Sequence, residues 1–317
     1  MIKRFHIFAV LILLSFGAPG LARAASVVDS PESIRISHQI ILRLSRIMQT
    51  LQTANVASCP RKMFNYGFEI ARINDDVRPA TRAALAETLG LGDLPTALTV
   101  VRDGAAAKAG LHEGDRIIAV NGAHWSVEAT PAATSRQAFW DAFQAAQGMD
   151  IMQVDIQTSG TLRSVQLRAQ TACAAHVVLI ARKQARASTF GSQIEVYAGL
   201  DSLLQDDDEL AFVLGHELAH VILEHSGPGK EAQMEDDAFR GPAEVEADKL
   251  GLLLMAQAGY DPTAATRAIR RMYQTNGPIT RLLGLHGPYM TTDQRCEFLS
   301  QEAEVVRDRL ASAKLAN

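Results

Sequence analysis

Apolar positions recur every three or four residues near the start of the chain. Ile36, Ile40, Leu44, Ile47 and Leu51 keep that interval after Ser30, a possible cap, and Pro31 at the first helical position, which predicts an amphipathic helix. "MFNYGFEIARI", residues 63–73, is rich in aromatic and β-branched residues and reads as one strand. From residue 97 the pattern changes. "ALTVVRDGAAAKAGLHEGDRIIAVNG" reads as strand, small-residue turn, short helix, glycine turn, strand and Asn-Gly turn. "SRQAFWDAFQAAQG" is a helix ending at Gly148, and "DIMQVDIQ" and "TLRSVQLRA" are strands around Ser159 and Gly160. Beyond Cys173, "AHVVLIARK" and "SQIEVYAGL" are strand-like. Two helical stretches follow. The first covers residues 205–226, with Asp206, Asp207 and Asp208 at its positive end, and the second is expected to start near Pro242 and stop near Gly259. The mixture predicts an α+β protein without internal repeats.

Length and composition add a frame. A chain of 317 residues exceeds one typical domain, so two compact units are expected. Its 47% hydrophobic and 21% charged residues are those of a globular protein with a real core. A net charge of −4 without a basic face argues against a nucleic-acid partner. Residues 1–24 hold a basic start (Lys3, Arg4), an apolar stretch and small residues at Ala22 and Ala24, the layout of a signal peptide cleaved after Ala24. No later run reaches the roughly 18 consecutive apolar residues of a membrane helix. The mature chain is therefore expected to lack a transmembrane segment and to be exported, either periplasmic or secreted.

Export changes the meaning of Cys59, Cys173 and Cys296. Three cysteines form at most one internal pair, and in an oxidising compartment a disulfide is the better reading than a metal site. A Cys59–Cys173 bond would clasp the two ends flanking the middle of the chain and leave Cys296 free.

The chemistry sits in "LGHELAHVILEHS", residues 214–226. His216 and His220 are four apart, so a helix presents both imidazoles on one face, while Glu217 is turned enough to miss a metal and still reach a water beside it. In "EVEAD", Glu244 and Asp248 are again four apart, and Glu246 points nearly the opposite way. One face thus offers a carboxylate ligand and an acid able to hold a ligand histidine by its other ring nitrogen. His225, at the end of the first helix, reads as a dipole partner or structural residue, not a ligand.

Two resemblances rest on these stretches. Residues 86–170, with "GAAAKAGLHEGDRIIAVNG" as signature, closely resemble a PDZ domain, a module that adds extended peptide ends as a strand to a sheet edge. "DDELAFVLGHELAHVILEH" and "EVEADKLGLLLMAQAGYDP" resemble the gluzincin family that contains the CAAX prenyl protease and the bacterial protease HtpX. That resemblance implies one zinc per chain on His216, His220 and Glu244, Glu217 as general base and Asp248 as supporting acid. Two departures matter. Ala185 stands about where the family carries an asparagine on the strand before "GL". In "LHGPYMTTDQRCEF", Arg295 is present, but Tyr289 holds the position of the family's histidine and His286 lies three residues earlier; either could stabilise an oxyanion.

The expected organisation is a signal peptide over 1–24, a helix and strand of the catalytic unit over 25–85, a PDZ-like domain over 86–170 and a zinc metallopeptidase domain over 171–317. The expected function is an exported endopeptidase that uses zinc-activated water, acts on unfolded or extended proteins in envelope quality control, and takes peptide C-termini at the PDZ groove. The rival is a peptide-binding chaperone or scaffold on the same zinc fold. The intact His216-Glu217-His220 set favours the enzyme.

Overall fold

The computed structural model describes residues 30–74, 77–126, 132–230, 233, 236–275 and 290–315. The expected signal peptide lies outside them. Among the described residues no helix is long and apolar enough to cross a membrane. The chain divides into two compact units, one running to Gln49 and from Met63 to Ala172, the other from Thr50 to Lys62 and from Cys173 onward.

The first unit is built on an antiparallel sheet. Its order is β2 (Phe68–Ala71), β3 (Thr96–Val100), β4 (Arg116–Val120), β6 (Ile151–Thr158) and β7 (Thr161–Arg168), with β5 (Ala123–His124) also paired to β4. Ser159 and Gly160 both have positive φ and close a two-residue hairpin that pairs Thr158 with Thr161, as the right-handed twist of the strands favours. On one face, Ile117, Val120, Met152, Val154, Ile156 and Leu167 pack with Phe139 and Phe143 of α4 (Ala132–Ala146). On the other, Leu98 packs with Ile34 of α1 (Pro31–Ala54) and Leu85 of α2 (Pro79–Leu89). The short α3 (Ala105–Lys108) follows β3.

This unit departs from the expected boundaries. The single strand over residues 63–73 is in fact two, β1 (Lys62–Asn65) and β2, broken where Gly67 takes a φ of +73°. β1 pairs with β8 (Gln170–Cys173), whereas β2 pairs with β3, Phe68 against Val100. β2, α2 and the first part of α1 therefore belong with the sheet and not with the catalytic unit that was expected to include residues 25–85. The reason is physical: β3 is buried on both faces and needs β2 to satisfy its outer backbone groups. The recognisable turn–helix–strand pattern begins only at residue 97, so β2 could not be assigned from it.

Glu69 on β2 supplies a testable consequence. Its Oε1 accepts a hydrogen bond from Ser45 Oγ at 3.2 Å, while Oε2 is buried with no hydrogen-bond partner among the described residues. Burial pushes its pKa up from 4.5 to about 7, against the smaller opposing effect of Ser45. An acid whose folded pKa is raised binds more protons folded than unfolded, so stability falls as pH rises from 4.5 to about 7. Glu69→Gln removes that loss. We expect a gain of about 1–3 kcal/mol near pH 8 and almost none near pH 4, read from urea midpoints at the two pH values.

The second unit holds a three-stranded sheet and a helical layer. The sheet order is β10 (Ala187–Phe190), β11 (Gln193–Tyr197), β9 (His176–Ile180), with β11 antiparallel to β10 and parallel to β9. β10 was not foreseen. The helices are α5 (Ala198–Leu203), α6 (Asp207–Ile222), α7 (Asp237–Gln257), α8 (Ala264–Thr275) and α9 (Thr292–Leu315). Asp206 caps α6 by accepting from Glu209 N at 2.8 Å. The Glu209 carboxylate, fully buried, accepts from Arg271 Nε at 2.9 Å and Arg267 Nε at 3.3 Å of α8. α7 starts earlier than expected, with Asp236 as its cap and Pro242 inside it. Gly241 before the proline has no Cβ, which eases the clash that normally bars a helix there.

Cys59 and Cys173 form a disulfide with Cα atoms 5.4 Å apart, and Cys296 is free and buried. The bond closes a separation of 114 residues, which in general stabilises by about 2–5 kcal/mol. Beside it Gln52 Nε2 donates to the carbonyls of Cys173 (3.0 Å) and Ala175 (2.7 Å). Asn55 Nδ2 donates to Leu254 O at 2.9 Å, so the last turn of α1 is tied to α7.

Candidate metal centre

Two glycines let α6 and α7 approach closely. A Cβ on Gly215 would lie 3.0 Å from Gly251 O, and one on Gly251 would lie 2.8 Å from His216 N. The backbones thus touch beside His216, so the Glu244–Asp248 face of α7 reaches the histidine face of α6. Apolar sequence on both helices hides this contact in a reading of periodicity alone.

Three donor atoms converge there. His216 Nε2 lies 3.1 Å from His220 Nε2 and 3.3 Å from Glu244 Oε2, and His220 Nε2 lies 3.7 Å from Glu244 Oε1. Ligands at the usual ~2.0–2.1 Å from a tetrahedral zinc stand about 3.3–3.4 Å from one another. The set therefore has a size and a nitrogen–nitrogen–oxygen chemistry that fit zinc.

One of the donors, His216, is held from behind by a carboxylate. His216 Nδ1 lies 2.9 Å from Asp248 Oδ1. Asp248 is completely buried and receives a two-pronged contact from Arg295, Nε to Oδ2 at 2.8 Å and Nη2 to Oδ1 at 2.6 Å. Arg295 thus holds Asp248, while the neighbouring candidates Tyr289 and His286 lie outside the described residues. Glu217 lies in the same cleft, and Thr189 Oγ1 of β10 is 2.7 Å from its Oε2 and 3.0 Å from its carbonyl oxygen. Ala185, at the expected asparagine position, precedes β10 and is not among the residues lining the cleft. Thr189 carried no sequence signal, because a lone hydroxyl near a turn belongs to no motif.

Burial and charge act against one another here. Burial disfavours charge on His216, but Asp248 and Glu244 outweigh it and push its pKa up to about 10. Burial and the His216 charge together lower His220 to about 3. Burial would raise Glu244, yet His216 and His220 bring it down to about 2. Asp248 is also disfavoured by burial, and Arg295 and His216 hold it far below the usual carboxylate range. Burial raises Glu217, with His216 and Thr189 opposing. One positive charge is thus already favoured among these side chains. A divalent cation would take that place and expel the proton on His216 Nε2.

The cleft measures about 270 Å³. Ala187, Ser188 and Thr189 of β10 line one side, and Phe212, Val213, Ile269 and Met272 give it apolar walls.

Two stretches match known family models: residues 153–234 match peptidase family M48, and residues 61–132 match the PDZ domain. The first includes His216, Glu217 and His220 and ends before Glu244. The second begins ahead of β2, in keeping with a sheet that includes that strand. Among curated proteins the chain is similar to the mitochondrial metalloendopeptidase OMA1 of Arabidopsis thaliana, 29% identical over 37% of this chain and 29% of that protein. It is also similar to the protein of the same name from Schizosaccharomyces pombe, 26% identical over 37% of this chain and 44% of that one. The chain spans less than half the length of these relatives. A solved structure of a variant of the HtrA-type protease AlgW with a decapeptide matches with 18% identity and a TM-score of 0.23, over 38% of this chain and 33% of that one. A metallopeptidase segment and a PDZ segment are both present, and M48 peptidases imply a metal, normally zinc.

Proposed function

We propose that the chain is a zinc-dependent endopeptidase, with zinc held by His216, His220 and Glu244 and with Glu217 as general base. The observation that carries the reading is the convergence of those three donor atoms in a cleft that also contains the buried Glu217 carboxylate. Bound zinc supplies Lewis acidity, which polarises a peptide carbonyl and lowers the pKa of a water toward neutrality. Glu217 takes a proton from the attacking water as the new C–O bond forms, then passes it to the amide nitrogen as the C–N bond breaks. Thr189 donates to Oε2 and fixes the carboxylate's direction. The outer edge of β10 suits an extended substrate laid alongside it, and the apolar walls suit an apolar side chain.

The partners we propose are unfolded or extended proteins, with peptide ends taken at the PDZ sheet edge. The location we propose is the exported one, in envelope quality control, where Cys59 and Cys173 would stay oxidised.

Casein digestion tests the activity. The purified protein should cleave casein, stop with a zinc chelator, and resume on zinc addition. Zinc binding without cleavage would favour the chaperone or scaffold instead.

A further inference from the structure

His225 does not merely end a helix. α6 closes with Leu223 as its cap, and Glu224 follows with a φ of +53°, a left-handed conformation usually taken by glycine. His225 N then donates to His220 O at 3.1 Å and Glu224 N to Val221 O at 3.3 Å. This is the paired bonding of a Schellman ending, which brings the side chain two residues past the cap onto the one three residues before it. In most helices that contact is apolar. Here it joins His225 to His220.

The two rings meet nitrogen to nitrogen, His220 Nδ1 to His225 Nδ1 at 2.9 Å. His225 Nε2 is 3.2 Å from Glu246 Oε2 on α7. His220 must keep Nε2 unprotonated to bind a metal, so its proton sits on Nδ1 and donates to His225 Nδ1. The His225 proton is then on Nε2 and donates to Glu246. Each neutral ring carries one proton, and every nitrogen has a use. His225 is buried, while the Glu246 side chain is 63% exposed.

We infer that His225 and Glu246 are positioning residues for the ligand His220, a second support alongside the Asp248–Arg295 pair that holds His216. Glu246, which helix geometry turns away from the metal, acts through His225. The inference rests on the proposed zinc site, and its test must separate the two.

Zinc affinity of the full-length protein, by competition with a chromophoric chelator at fixed pH, is the readout. The absorption of the cobalt(II)-loaded protein reports ligand geometry, and the unfolding midpoint of the metal-free protein reports fold. His225→Phe, which keeps the ring without an acceptor, should weaken zinc about 10–100-fold and alter the cobalt bands. His225→Asn places its Oδ1 where Nδ1 was and should bind within about threefold of wild type. Glu246→Ala, at an exposed position, should fall between them. A purely structural role for His225 would lower the metal-free midpoint equally in the Phe and Asn variants, without the rescue of zinc affinity by Asn, and would overturn the inference. So would wild-type affinity and an unchanged cobalt spectrum in His225→Phe. If His225→Phe does not fold, His225→Leu takes its place under the same criteria. Should His216→Ala bind zinc as tightly as wild type, the proposed site itself is wrong.

Discussion

Glu217→Gln is expected to keep wild-type zinc content and lose peptide hydrolysis by about 10²–10⁴-fold, the range a positioned general base contributes. Zinc should stay because the converging atoms come from His216, His220 and Glu244, with Glu217 outside that set. The fold should stay because Glu217 is a buried carboxylate whose charge is already disfavoured there, and a neutral amide of the same shape relieves that burden. The amide oxygen can still accept from Thr189 Oγ1, so the side chain keeps its direction. Only the capacity to take a proton disappears. Casein turnover and metal content measured on one preparation decide the matter. Wild-type turnover would remove Glu217 from the base role. Loss of zinc along with activity would make it a ligand.

Arg295→Met should have the largest effect on stability. It takes the guanidinium away from the fully buried Asp248 carboxylate and leaves His216 as its charged neighbour. Removing one member of a buried ion pair in general destabilises by about 3–5 kcal/mol, because the remaining charge loses its partner and gains no water; with His216 still 2.9 Å from Asp248, the lower end of that range is expected. Zinc affinity should also fall, by about 10–100-fold, since Asp248 no longer holds His216 Nδ1 from a fixed position. Adding Asp248→Asn to Arg295→Met removes the remaining charge. The double variant should recover most of the stability and little of the metal affinity. Urea unfolding of the metal-free proteins with chelator competition gives both quantities. A single variant as stable as wild type would mean that Arg295 does not hold Asp248 in solution.

Residue spacing alone selected the faces of α6 and α7. His216 with His220, and Glu244 with Asp248, follow from the four-residue interval, because an α-helix turns about 100° per residue whatever it packs against. The hairpin at Ser159 and Gly160 was legible for a similar reason: a two-residue turn between strands tolerates few residue types. Tertiary structure decided the contacts between residues remote in sequence. Thr189 meets Glu217 across 28 positions, and Arg295 meets Asp248 across 47. β10 reads as strand only once β11 is beside it, and β2 joins β3 only once α2 has carried the chain back. Glu246 shows the division most clearly. Spacing turned it correctly away from Glu244 and Asp248, but its partner His225 lies on another segment, placed by the backbone reversal at Glu224. Local periodicity states which way a side chain leaves its helix. What stands at the other end depends on the packing of distant backbone, here on Gly215 against Gly251.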